Sequence, residues 1–149
     1  MTRGPVDLKI VDDRLAIVRA CLADLRSLPA GSLAEFAADR RNPAAAESLL
    51  RRAIEALFDV TRHLLAKGFG QGALEYRQAA GLAAQHALVE DPTLRERFLQ
   101  IAGFRNRLTH FYASVTPEEL YGVVRDDLDE LERLAEALGR AAARLARRG

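Results

Sequence analysis

From Asn42 to Gly70 the chain reads NPAAAESLLRRAIEALFDVTRHLLAKGFG, and this stretch decides the fold. Ala46, Leu50, Ala53, Leu57 and Leu64 recur at the period of a helix that buries one face. Asn42-Pro43 reads as an N-cap followed by a first-turn proline, and Lys67-Gly68-Phe69-Gly70 as its stop. So long an apolar stripe needs partners, and the flanking sequence supplies them. Upstream, Asp7 to Leu28 carries Val11, Leu15, Val18, Leu22 and Leu25 on one face, ends at Pro29 and Gly31, and is followed by a short amphipathic piece, Leu33 to Ala38. Downstream lies an Ala- and Gln-rich segment, Leu74 to Leu88. A helix opened by Asp91-Pro92 follows and runs through Phe98 and Ile101 to Leu108. The last helix opens at Thr116-Pro117-Glu118-Glu119, a cap, a proline and a capping-box glutamate, with Leu120, Val124, Leu128, Leu131, Leu134 and Leu138 as its stripe. There is no strand pattern, repeat or low-complexity linker. The reading is an all-α antiparallel bundle of about five helices, with residues 1–149 as a single helical domain.

Composition narrows the class without naming a function. At 149 residues, 49% hydrophobic and 29% charged, the chain has a globular balance and needs no disulfide or metal to hold a core. A net charge of +1 excludes a uniformly basic nucleic-acid binder but leaves room for a local basic site. The basic residues are twenty arginines and two lysines, Lys9 and Lys67, a bias that genome composition alone can produce. Cys21 lies on an apolar helix face and reads as a buried thiol in a reducing compartment. The opening MTRGPVDLKIVDD lacks the apolar core of a signal peptide, and no apolar run approaches the ~20 residues of a spanning helix. These features predict a cytoplasmic protein with no membrane partner. Arg140, Arg144, Arg147 and Arg148 make residues 140–149 a basic C-terminal end that is free to fray. It is either a solvated helix end favoured by the dipole or a phosphate-contacting stripe.

One arginine breaks the pattern. Stepping about 100° per residue along the helix from Pro92 places Leu94, Phe98, Ile101 and Leu108 in one apolar arc, with Arg105 in its middle. A cation among core residues requires a carboxylate, a phosphate or a polar cavity to receive it. Asn106 precedes His110 by four residues, so its amide can orient the imidazole. His110 itself points about 140° from Arg105 on a regular helix. The two serve one site only if the helix distorts near Thr109-His110-Phe111 or if two copies of the helix meet. Tyr112 returns to the Arg105 face.

The segment Arg105-Asn106-Arg107-Leu108-Thr109-His110-Phe111-Tyr112 closely resembles the signature of HEPN-domain proteins, and the R-x4-H-x-Y spacing resembles their HepT-like branch. Pro43 to Val60 is similar to that family's second helix, Phe104 to Tyr112 to the end of its fourth, and Glu119-Leu120-Tyr121 with Leu128 to the start of its last. The Arg-rich end has no match in the family pattern. The resemblance implies a homodimer in which two motifs line one cleft. It also implies a metal-independent endoribonuclease toxin, with no cofactor. Its antitoxin would be an MntA-like nucleotidyltransferase that transfers AMP onto Tyr112. In that chemistry the RNA 2′-OH is the nucleophile. His110 fits the acid–base role, as a histidine's ordinary pKa is near ~6.5. Arg105 fits the developing phosphorane charge, and Asn106 the positioning of His110 or of a phosphate. Two other readings of the same residues stand beside it. One is a catalytically silent HEPN-like module that binds a nucleotide or a partner; the other is a structural bundle with Arg105 paired to a buried carboxylate.

Other candidates read as scaffold. Glu55, Asp59 and His63 form a row on one face of the Asn42–Gly70 helix, opposite its apolar stripe, and read as a solvated polar face rather than a metal site. Asp59 has a further candidate role as the acid that meets Arg105 or the partner subunit. His86 reads as a helix-end histidine, Tyr76 and Tyr121 as packing or interface aromatics. Gly68, Gly70 and Gly72 read as a flexible turn, because no strand precedes them as a phosphate loop requires.

Overall fold

The computed structural model describes residues 3–72, 75–110 and 115–148, and among these there are seven helices and no strand. They are α1 (Leu8–Arg26), α2 (Leu33–Ala38), α3 (Arg41–Phe69), α4 (Tyr76–Gln85), α5 (Pro92–Thr109), α6 (Pro117–Asp126) and α7 (Leu128–Arg148). The stretch from Asn42 to Gly70 is the spine. Beyond the expected stripe, α3 also buries Ile54, Ala56, Phe58, Val60, Leu65 and Ala66, because α1, α4, α5, α6 and α7 all pack on it. Buried Thr61 satisfies its hydroxyl by donating to the Leu57 carbonyl at 2.9 Å.

Cross-helix pairs set the directions. As α1 runs forward from its Asp7 cap to Arg14, its partners on α3 run backward, from His63 (2.9 Å) to Asp59 (3.1 Å). Arg97 and Arg107 of α5 likewise meet Glu130 and Glu119 in reverse order, so α5 runs against the α6–α7 limb. Short connections between antiparallel helices make this bundle.

The caps at Asp91 and Thr116 form as read. Asp91 accepts from the Thr93 and Leu94 N–H groups at 2.8 and 3.3 Å, and Thr116 accepts from Glu119 N–H at 3.2 Å. The start of α3 differs. The helix begins at Arg41, one residue before the expected cap, and Asn42 lies inside the first turn with its amide donating to the Phe36 carbonyl at 3.1 Å. Asp39 takes the capping work by accepting the Arg41 N–H at 2.9 Å. Its charged form is also held by the Arg41 side chain, which lowers its pKa to about 2. The stronger local acceptor wins.

The expected last helix is two. Asp127 ends α6 with φ −111° and ψ −3°, and α7 begins at Leu128. No glycine or proline marks the break. Arg97, reaching from α5, holds Asp127 at 3.2 Å and also binds Glu130, so an ion network fixes the bend. The stripe from Leu120 to Leu138 stays buried across it. Helix α7 extends to Arg148. Ala141 and Ala142 are buried, Leu145 lies against Gly68 where a Cβ would come within 3.2 Å of it, and Arg144 donates to the Ala87 carbonyl at 3.3 Å. Cys21 is buried, and burial pushes its thiol pKa up. Among the described residues, no helix is long and apolar enough to cross a membrane.

Candidate functional site

The last turn of α5 carries the sequence anomaly, and the fold gives it a specific setting. Leu94, Phe98, Ala102 and Leu108 are buried on the inner face, which presses Arg105 against α3 and α4. Its side chain keeps 21% exposure. One guanidinium nitrogen reaches Glu55 Oε1 at 3.2 Å, and the guanidinium carbon sits 4.0 Å from the centre of the Tyr76 ring. Its Nε is buried with no hydrogen-bond partner among the described residues.

The acid that meets Arg105 is therefore Glu55, and Asp59 is engaged elsewhere, with Arg14 Nε at 3.1 Å. The three-residue row on α3 is a solvated face whose side chains are each engaged by a neighbour. Glu55 goes to α5 and Asp59 to α1. His63 accepts the Asp7 backbone N–H at 2.9 Å. The row keeps its contact with solvent, Asp59 being exposed and Glu55 39% exposed, while each side chain is tied to a flanking helix.

Tyr76, at the first position of α4, is the ring on which the site is built. Phe58 meets it edge-on at 4.9 Å and stacks on Phe98 at 4.6 Å, which ties ring, spine and α5 into one aromatic column. A second guanidinium, that of Arg62, lies 4.3 Å from the same ring centre. Nothing in the one-dimensional pattern marks Tyr76, Arg62 or Glu55 as neighbours of Arg105; α3 and α4 bring them there.

Helix α5 stops at Thr109, and His110 is its C-cap in an extended conformation (φ −94°, ψ 111°), with its N–H donating to the Asn106 carbonyl at 3.2 Å. The angular step of a helix no longer governs where the exposed His110 side chain points. His110 borders two cavities. One, about 410 Å³, it shares with Asn106, Tyr76, Arg62, Arg77 and Glu75. The other, about 620 Å³, it shares with Glu55, Arg51, Glu47 and the end of α5. Tyr76 and Glu55, the two partners of Arg105, thus belong one to each. Arg107 clamps the far side through a forked pair with Glu119, at 2.7 and 2.8 Å, whose hydrogen bonds hold the Glu119 pKa down. Tyr112 lies outside the described residues.

This is an all-α bundle with an arginine, a histidine and an asparagine gathered at the end of one helix. The pattern of the family described as Ribonuclease HepT-like matches residues 18–138, so the chain belongs to the HepT-like ribonuclease family. Among solved structures, it is similar to a toxin–antitoxin crystallised with AMP-PNP, at 20% identity and TM-score 0.76, over 87% of this chain and 97% of that one. It is likewise similar to a tri-AMPylated Shewanella oneidensis HEPN toxin in complex with MNT antitoxin, at 21% identity and TM-score 0.76, over 86% and 95% of the two chains. At these identities the likeness is one of fold. Among curated proteins, none matches this chain in sequence.

Proposed function

We propose that this chain is the toxin of a toxin–antitoxin pair, a metal-independent endoribonuclease whose site is completed by a second copy of itself. The observation that carries the proposal is Arg105, stacked on Tyr76 beside cavities bordered by exposed His110, with a donor that has no partner among the described residues. Cleavage by this set needs no group beyond the RNA. The 2′-oxygen attacks phosphorus as its proton leaves to an imidazole. Arg105 takes up charge on the equatorial oxygens, and the 5′-oxygen departs with a proton, leaving a 2′,3′-cyclic phosphate. Both a base and an acid are required. Each protomer brings one imidazole to this cleft, since His63 binds Asp7 and His86 stacks on Phe69. Two copies facing each other supply the pair. Asn106 lines the cavity that His110 borders, which suits a positioning role.

Silencing completes the proposal. An MntA-like nucleotidyltransferase transfers AMP to Tyr112, two residues beyond His110 in the chain, adding bulk and negative charge to the motif. The similar fold of a tri-AMPylated HEPN toxin bound to an MNT antitoxin supports this reading. The purified chain is expected to cut RNA in EDTA and to lose cutting on His110→Ala, and co-expression with the nucleotidyltransferase is expected to add AMP mass to the peptide holding Tyr112. Undiminished cutting by His110→Ala would refute the assignment. A chain that neither cuts RNA nor arrests growth when overexpressed is instead a silent binding module.

A further inference from the structure

We propose that Tyr76 is a positioning residue of this site: its ring face holds the Arg105 guanidinium in place without using any of its N–H donors. The inference rests on the ribonuclease reading of Arg105 and His110 and adds to it what keeps the arginine in place when a phosphate arrives.

Arginine is a long, flexible side chain, and a guanidinium stabilises developing charge only if it is already in place when that charge appears. Two groups hold it here. The first, Glu55, uses a donor, since Arg105 gives one N–H to its Oε1 at 3.2 Å. A phosphate oxygen reaching the guanidinium competes for that donor, so the carboxylate is a tether that substrate can undo. The second, Tyr76, uses none. The guanidinium carbon lies 4.0 Å from the ring centre, where the π electrons attract the cation while its N–H groups radiate in their own plane. A hold of this kind persists as the hydrogen-bond partner changes.

The ring is itself fixed to the helix that carries Arg105. Tyr76 opens α4, and Phe58 of α3 meets it edge-on at 4.9 Å. Phe58 in turn stacks at 4.6 Å on Phe98, seven residues before Arg105 on α5. The brace therefore closes on itself: through two buried rings, α5 supports the surface on which its own arginine rests. Arg62, 4.3 Å from the same ring centre, adds a further contact from α3 to the ring. Tyr76 also lines the cavity that holds Asn106 and His110, which sets the arginine beside it. Leucine at this position would fill much of the space and offer no π face, whereas phenylalanine would offer the same face.

The test compares wild type, Tyr76→Phe and Tyr76→Leu by two measurements. In steady-state cleavage of single-stranded RNA, Tyr76→Leu is expected to lower kcat by at least about tenfold with KM within about threefold, and Tyr76→Phe to keep both within about twofold. In an Arg105→Met background, where nothing is left to position, Tyr76→Leu is expected to change kcat by less than about twofold. An equal loss in the two backgrounds would overturn the proposal. So would wild-type kcat in Tyr76→Leu, or a Tyr76→Phe enzyme as impaired as Tyr76→Leu. The second measurement needs no activity. The Nε–H resonance of Arg105, assigned by its disappearance in Arg105→Met, is expected in wild type and Tyr76→Phe to be displaced by the ring current and protected from exchange with water. In Tyr76→Leu it is expected at the position of a solvated arginine, and a resonance unchanged from wild type would overturn the hold. If the wild type cleaves nothing, the ribonuclease reading falls and this resonance decides the hold by itself. Where Tyr76→Leu does not fold, Tyr76→Met, which refills the space without a ring face, replaces it in both measurements.

Discussion

Replacing Arg105 with methionine separates a residue kept for chemistry from one kept for stability. Breaking a fully buried ion pair leaves a stranded charge and costs about 3–5 kcal/mol. The Arg105–Glu55 pair is not of that kind, because Glu55 keeps 39% exposure and its carboxylate can fall back on water. Its loss is then close to that of a surface pair, about 0.5–1 kcal/mol. The stacking on Tyr76, in a half-dry setting, adds about 1–2 kcal/mol. Against both stands the buried Nε, without a partner among the described residues, which costs about 1–3 kcal/mol and disappears with the substitution. Methionine also recovers a sulfur–ring contact of about 0.5–1 kcal/mol. The terms cancel to within about 1 kcal/mol, so the melting temperature should move by no more than about 4 °C. RNA cleavage should fall by at least ~100-fold, the loss expected when a donor to a developing anion is removed. Thermal melts read alongside cleavage at saturating RNA make the comparison. A melting temperature lowered by more than about 8 °C, or cleavage within tenfold of wild type, would refute the argument and leave Arg105 a structural residue.

Two further expectations concern the scaffold. Ala87 ends α4 at φ 56°, with its N–H and that of Leu88 bonded to the Ala84 and Ala83 carbonyls. Ala87→Gly should remove about 1–2 kcal/mol of left-handed strain, offset by a more flexible unfolded chain, for a net gain of about 0.5–1 kcal/mol. A urea midpoint that falls would show that no strain is stored there. Burial holds the His63 pKa below the histidine range, Lys67 lowers it further, and Asp7 opposes both. The unfolded chain therefore takes up this proton first on acidification. The contribution is whole above about pH 6.5 and shrinks as pH falls towards the lower folded value. His63→Gln, which can still accept the Asp7 N–H, should flatten urea stability between pH 7.5 and 5.5; an unchanged pH dependence would contradict the assignment.

Much of the architecture could be read along the chain because its signals are local. The caps at Asp91 and Thr116, the stop at Gly70 and the buried stripes all depend on residues within a few positions of one another. The misread places are those where a competing acceptor stood close by or a distant group intervened. Asn42 lost its capping position to Asp39, and the last helix bends at Asp127 because Arg97 pulls on it from α5. The polar row on α3 stays solvated as read, with its side chains divided between α5 and α1.

For the site, sequence alone determined that Arg105 stands where an aliphatic residue belongs and that Asn106 and His110 follow it at fixed spacing, since periodicity is a property of the chain itself. Tertiary structure decided what that arginine meets. Glu55 lies fifty residues away in the chain and Tyr76 lies on another helix, yet they hold the guanidinium from two sides and, among the described residues, leave its Nε unsatisfied. Spacing fixes which side chains share a helix face. Only the packing of one helix against another brings together groups that the chain itself keeps far apart.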